Sequence, residues 1–219
     1  MAARQASTQV VLEVTQKRAF ATAVDWPGWC RSGKDEDLAL RALAESHQRY
    51  AAVAAEAGES FPAVLADHLS VVERLKGNAT TDFGAPGIVS DLDRTRLTKV
   101  AAQRRAALLA AAWTVYDRVL ADAPPTLRKG PRGGGRDRDK IAGHVRDAES
   151  AYARKLGLRL PAPDTAEALA AQREAILDAL RLPADGADPS AKGWPPRYAA
   201  ARMAWHVLDH AWEIEDRTE

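Results

Sequence analysis

The chain has 219 residues, 46% hydrophobic and 28% charged, the make-up of a folded globular protein with a sizeable core and one large or two small domains. Its 31 basic and 30 acidic residues leave a formal charge of +1, so no global field draws it to nucleic acid or to an anionic membrane. The single cysteine, Cys30, excludes an internal disulfide and fits a reducing cytoplasm.

The first elements are short. Residues 10–15 (VVLEVT) and 19–24 (AFATAV) are rich in β-branched residues, partly alternating, and separated by the polar QKR, which predicts a hairpin. The N-terminal MAARQASTQVVLEV has no long apolar stretch of the kind a secretory signal needs. Asp25-Trp26-Pro27-Gly28-Trp29-Cys30 then breaks the strand with a Pro-Gly turn. Apolar spacing over 35–55, with acidic residues in the first turn, predicts one helix. Residues 60–64 suit a short helix or loop, 68–75 (HLSVVERL) a further strand, and GNATTDFGAPG a loop. Residues 1–91 therefore read as a small α+β module with an antiparallel sheet and a packed helix.

From residue 92 onward the pattern is helical. A first helix over 93–120 carries an apolar stripe of Leu97, Val100, Ala101, Leu108, Ala112, Val115 and Val119. Pro124-Pro125 ends it, and LRKGPRGGGRDRD follows as a basic, glycine-rich loop. Further helices are predicted over 137–156, 165–182 and 196–216, the one over 165–182 preceded by an N-cap and break in PAPDT. Residues 92–219 thus predict a four-helix bundle, and the whole chain is α+β. No run reaches the roughly 20 apolar residues of a membrane span. The connection GAPGIVSDLD is short and half apolar, so the two parts should share an interface.

The chemistry concentrates in three histidines. His206 and His210 stand four residues apart in MAWHVLDHAWEIEDR, which puts both imidazoles on one helix face about a turn apart. That separation suits two ligands of one metal ion. His144, in the helix over 137–156, is the candidate third ligand. Three neutral imidazoles with an open fourth position suit zinc or nickel, and also iron or manganese. Such a centre lowers the pKa of a bound water or activates a thiol. Asp209, Glu213 and Asp147 are candidates to orient the imidazoles, or else surface carboxylates paired with Arg202 or Arg217. Glu213, a turn past His210, is the one candidate substitute ligand. Trp205 and Trp212 either wall an apolar pocket at the metal or fill the core. His47 and His68 receive no role, and Cys30 reads as a half-buried structural thiol. The loop 128–136 has glycines able to cradle an anion before a helix, but lacks the Gly-Lys-Ser/Thr ending and preceding strand of a nucleotide P-loop.

With His144 in AGHVRDAESAY and His206 and His210 in AWHVLDHAWEIEDR, residues 93–219 resemble the DinB-like (DinB/YfiT) superfamily of metal-binding four-helix bundles. The resemblance implies that these three histidines bind a divalent metal, and that the protein acts on a small molecule as a metal-dependent hydrolase or a transferase using a low-molecular-weight thiol. No nucleic acid or membrane partner is implied, and homodimerisation stays open. The stretch DWPGWCRSGKDEDLALRAL, through Trp26, Pro27, Gly28, Gly33, Asp35 and the run from Leu38, resembles the HicB-like fold, with Trp29 as an insertion. This implies the alternative of a regulatory or interaction protein whose helical half is a non-catalytic scaffold.

Overall fold

The computed structural model describes residues 7–130, 134–188 and 192–218. Strand β1 (Thr8–Val14) is the centre of the sheet, and its Val10, Val11, Leu12 and Glu13 are all buried. Burial of consecutive residues means that both faces of the strand are covered. The hydroxyl of Thr15 accepts from the backbone N–H groups of Lys17 and Arg18, which turns the chain into β2 (Ala19–Ala23), antiparallel to β1. A third strand, β3 (Cys30–Gly33), pairs antiparallel with β2. It was not expected, because Cys-Arg-Ser-Gly has neither β-branched residues nor apolar alternation.

The antiparallel sheet predicted from sequence is corrected to a mixed one. Strand β4 (Leu69–Lys76) lies on the far side of β1 and runs parallel to it, giving the order β3-β2-β1-β4. Parallel strands need a long crossover, and α1 (Glu36–Glu45), α2 (His47–Glu56) and α3 (Val64–Asp67) supply it. The single helix predicted over 35–55 is also corrected, to α1 and α2 separated at Ser46. There the buried Trp29 indole donates to the Leu43 carbonyl and to the Ser46 hydroxyl, and that hydroxyl itself donates to the Leu43 carbonyl. These donors compete for a carbonyl that a continuous helix would use along its own axis.

Residues 77–87, predicted as loop, contain the short helix α4 (Ala79–Phe83), started by an Asn78 capping box. Helix α5 (Lys99–Asp122) begins at a Thr98 cap, six residues later than predicted. The backbone of Leu97 is used instead in a two-way bridge with Ala184. Leu97, Leu108, Ala112 and Val115 are buried as the stripe requires, but Val100 is 76% exposed. Helices α6 (Arg138–Lys155), α7 (Ala166–Leu180) and α8 (Pro196–Thr218) match their predicted spans to within about two residues.

The molecule is α+β. Helix α5 packs along α8 and against α7, and α6 packs against α8 and α7. One apolar cluster joins Val10 and Leu12 of β1, Trp29, Tyr50 of α2, Leu108 of α5 and Leu208 of α8, so the two parts share a core as expected. The Pro-Gly turn explains the close fit. Gly28 has φ +92°, and a Cβ there would lie 2.8 Å from the Leu208 side chain, so only glycine lets the turn rest on α8. Tyr50 donates from its hydroxyl to the Pro27 carbonyl at 2.8 Å and holds the turn from the opposite side. Among the described residues, no helix is long and apolar enough to cross a membrane.

Candidate metal centre

Helices α6 and α8 carry the three histidines and pack side by side. The structure brings His144, His206 and His210 together, each offering a ring nitrogen within 4.8 Å of the other two. The Nε2 atoms of His144 and His206 approach to 3.2 Å. Tetrahedral coordination with nitrogen bonds of about 2.0–2.1 Å would separate ligand nitrogens by about 3.4 Å. One pair already stands close to that spacing, and the third ring offers a nitrogen within 4.8 Å of both. His206 is 7% exposed while His144 and His210 are partly open, so the cluster has a dry floor and a solvent-facing side.

Two of the three rings are held in the neutral form. Burial foremost, then His210, Arg202 and His144, push the pKa of His206 down to about 2. His144 is lowered as well, first by burial and then by His210 and Arg136. Both imidazoles are therefore neutral at neutral pH, and neutral nitrogen is the form that binds metal. The Nδ1–H of His210 donates to Glu213 Oε2 at 2.8 Å, while Arg217 donates to Glu213 Oε1 at 2.8 Å. The hydrogen bond from His210 leads the effects that hold Glu213 below the usual carboxylate range. With Nδ1 committed, Nε2 of His210 is the nitrogen left for a ligand bond.

The carboxylates sort out differently. Glu213 has both oxygens engaged and serves as the partner that orients His210. Asp209 pairs with Arg31 of β3 at 3.2 Å, not with Arg202 or Arg217, and so ties the sheet to the histidine-bearing helix. Asp147 is exposed and, among the described residues, pairs with none of the imidazoles.

The tryptophans belong to the core rather than to the cluster. Trp205 meets the Phe20 ring edge-on at 6.0 Å, and Trp212 lies under the guanidinium groups of Arg31 and Arg49. Tyr152 meets the His206 ring edge-on at 5.6 Å, nearer than Trp205 at 6.1 Å, and is itself in contact with Trp194. Tyr152 stands two turns after His144 on the same helix, a spacing that the sequence displays.

Cys30 is corrected from half-buried to 1% exposed, and burial pushes its thiol up to about 12. His47 stacks on Phe61 within an aromatic group of Trp26, Trp29 and Tyr50. In the basic loop, Pro131, Arg132 and Gly133 lie outside the described residues. Around them, Lys129 binds Asp137 at 2.5 Å, and Arg128 donates to the Asp216 carbonyl. Asp137 is the residue before α6, so a carboxylate already stands where an anion would approach that helix.

No family model, no curated protein and no solved structure matches the chain.

Proposed function

We propose that this chain is a DinB-like metalloprotein that binds one divalent cation, zinc or nickel, through His144, His206 and His210. One observation carries the reading: three imidazoles from two helices converge, two of them kept neutral by their surroundings and the third oriented by a carboxylate. A polar group of this kind, open on one side, is expensive to bury unless it binds something. The packing of α5, α6, α7 and α8 against one another supports the four-helix bundle of that superfamily.

A bound divalent ion with three nitrogen ligands supplies Lewis acidity at an open position. The chain's own residues then set the site. His206 keeps its nitrogen unprotonated through burial, Glu213 fixes the ring of His210, and Tyr152 screens one side of His206 from water. On this reading the protein is a cytoplasmic enzyme acting on a small molecule, by hydrolysis or by transfer to a low-molecular-weight thiol. Neither nucleic acid nor membrane is a partner.

The test is elemental analysis of protein purified without a histidine tag, followed by zinc and nickel titration of the chelator-treated form. The reading expects one ion per chain in the wild type and none retained by His206→Ala or His210→Ala, with helical circular dichroism preserved in both. A wild type that binds no ion, or variants that bind as the wild type does, would overturn it.

A further inference from the structure

The face of α8 that carries the histidines continues towards the N-terminus of the helix with Arg202. This residue stands four positions before His206, one turn away, at about 5–6 Å between Cβ atoms. Its guanidinium lies 4.4 Å from the centre of the Trp205 ring and 5.6 Å from that of Tyr152, and Tyr152 in turn meets the His206 ring. Arg202 is therefore held beside the three histidines, against a side chain from each of the two helices that carry them, and stays partly open to solvent.

Two carboxylates of α8 border the histidines, and both are engaged: Glu213 by His210 and Arg217, Asp209 by Arg31. On the side of α6, Arg136 and the exposed Asp147 act on His144 with opposite sign. Among the described residues Arg202 forms no ion pair, and its partners are the two rings. A divalent ion on three uncharged imidazoles adds two positive charges next to this unanswered arginine. Like charges at that range repel, and an anion that touches both relieves them. A guanidinium stacked on a ring presents its N–H groups edge-on, in the plane that a carboxylate matches.

We propose that the substrate of this centre is a small carboxylic acid, held at the metal through one group and at Arg202 through a carboxylate a few bonds away. The proposal rests on the metal reading and adds the charge of the substrate to it. Arg202 is then a specificity-determining residue, which receives the acid group and leaves the open position of the ion to the rest of the molecule.

Cobalt is the metal for the test, because a thiolate bound to it gives a charge-transfer absorption that reports ligand binding directly. The full chain, stripped of metal and loaded with cobalt, is titrated with 3-mercaptopropionate and with its neutral amide, 3-mercaptopropionamide. The acid should bind about tenfold or more tightly than the amide. Arg202→Met should weaken the acid by that factor and leave the amide unchanged. Arg202→Lys keeps the charge without the planar fork; its preference should fall between the two, and it decides the matter if the methionine variant fails to fold. Equal affinity for acid and amide in the wild type would overturn the proposal. So would an acid preference that survives in full in the variants, which would mean that the carboxylate chelates the ion. An equal loss for both ligands would overturn it too, since Arg202 would then only support the fold. A chain that binds no cobalt would overturn the metal reading itself, and this proposal with it.

Discussion

Helix α6 carries two buried polar clusters, and they are built on opposite principles. Glu149 is 3% exposed and receives two hydrogen bonds from Arg173, at 3.0 and 3.1 Å, while Arg173 also reaches Asp117 at 2.6 Å. The buried Glu149 carboxylate is answered within the chain by a two-pronged guanidinium. Burial still raises the pKa of Glu149, with Arg173 opposing it. The histidine cluster, a turn and a half earlier on the same helix, faces α8 with two ring nitrogens 3.2 Å apart and two of its three rings partly open to solvent. The first cluster pairs opposite charges and the second gathers uncharged rings, and that contrast can be tested from both sides.

The largest effect is expected from Arg173→Met, which strands the Glu149 carboxylate in the core. The cost should be about 3–5 kcal/mol in urea unfolding. Replacing both partners with apolar residues, Glu149→Leu with Arg173→Met, should recover most of that loss, since the buried charge is gone. If the single and double variants lose the same stability, Glu149 is not the reason.

The open cluster should behave in reverse. Saturating metal at about a hundred times its dissociation constant should stabilise the wild type by about 2.7 kcal/mol, read as a rise in melting temperature over the chelator-treated form. His206→Ala and His210→Ala should show no such rise. An equal rise in all three proteins would place the metal elsewhere.

Glu213→Gln tests the outer partner of His210. It should keep the metal but bind it about 10–100-fold more weakly, as loss of a carboxylate behind a histidine ligand generally does. Complete loss of metal would make Glu213 a ligand itself. Unchanged affinity would mean that the 2.8 Å hydrogen bond contributes nothing to the site.

The smallest effect belongs to Cys30, which packs with Phe20 and Trp205. Its thiol pKa rises from 9.0 to about 12 on burial, so the folded form holds the proton more tightly than the unfolded one. This contribution is fully present below pH 9 and is lost as the pH rises towards 12. By pH 10 the Cys30→Ala variant should have lost about 1 kcal/mol less of its stability than the wild type. Native Cys30 should also resist thiol reagents at pH 8 until the protein is unfolded; rapid native labelling would contradict its burial.

How much of this was legible before folding depends on the range of the interaction involved. Helices α6, α7 and α8 were readable because helix periodicity, caps and prolines act over a few residues. The pairing of His206 with His210 on one face follows from the same local geometry. Strands β1, β2 and β4 declared themselves through β-branched runs. The break at Ser46 did not, since its cause is the Trp29 indole, 17 residues away. The start of α5 was displaced by a backbone bridge to Ala184, which leaves no trace in the residues 93–98.

The sequence by itself determined that the chain is α+β, where its long helices run, and which three histidines could meet. Only the tertiary structure decided that β4 lies parallel to β1, that His144 reaches the pair on α8, and that Asp209 answers Arg31 across 178 positions of chain. The reason is physical. Side-chain period is a property of neighbouring residues, whereas a satisfied or unsatisfied polar atom depends on which distant groups the packing brings within hydrogen-bond reach.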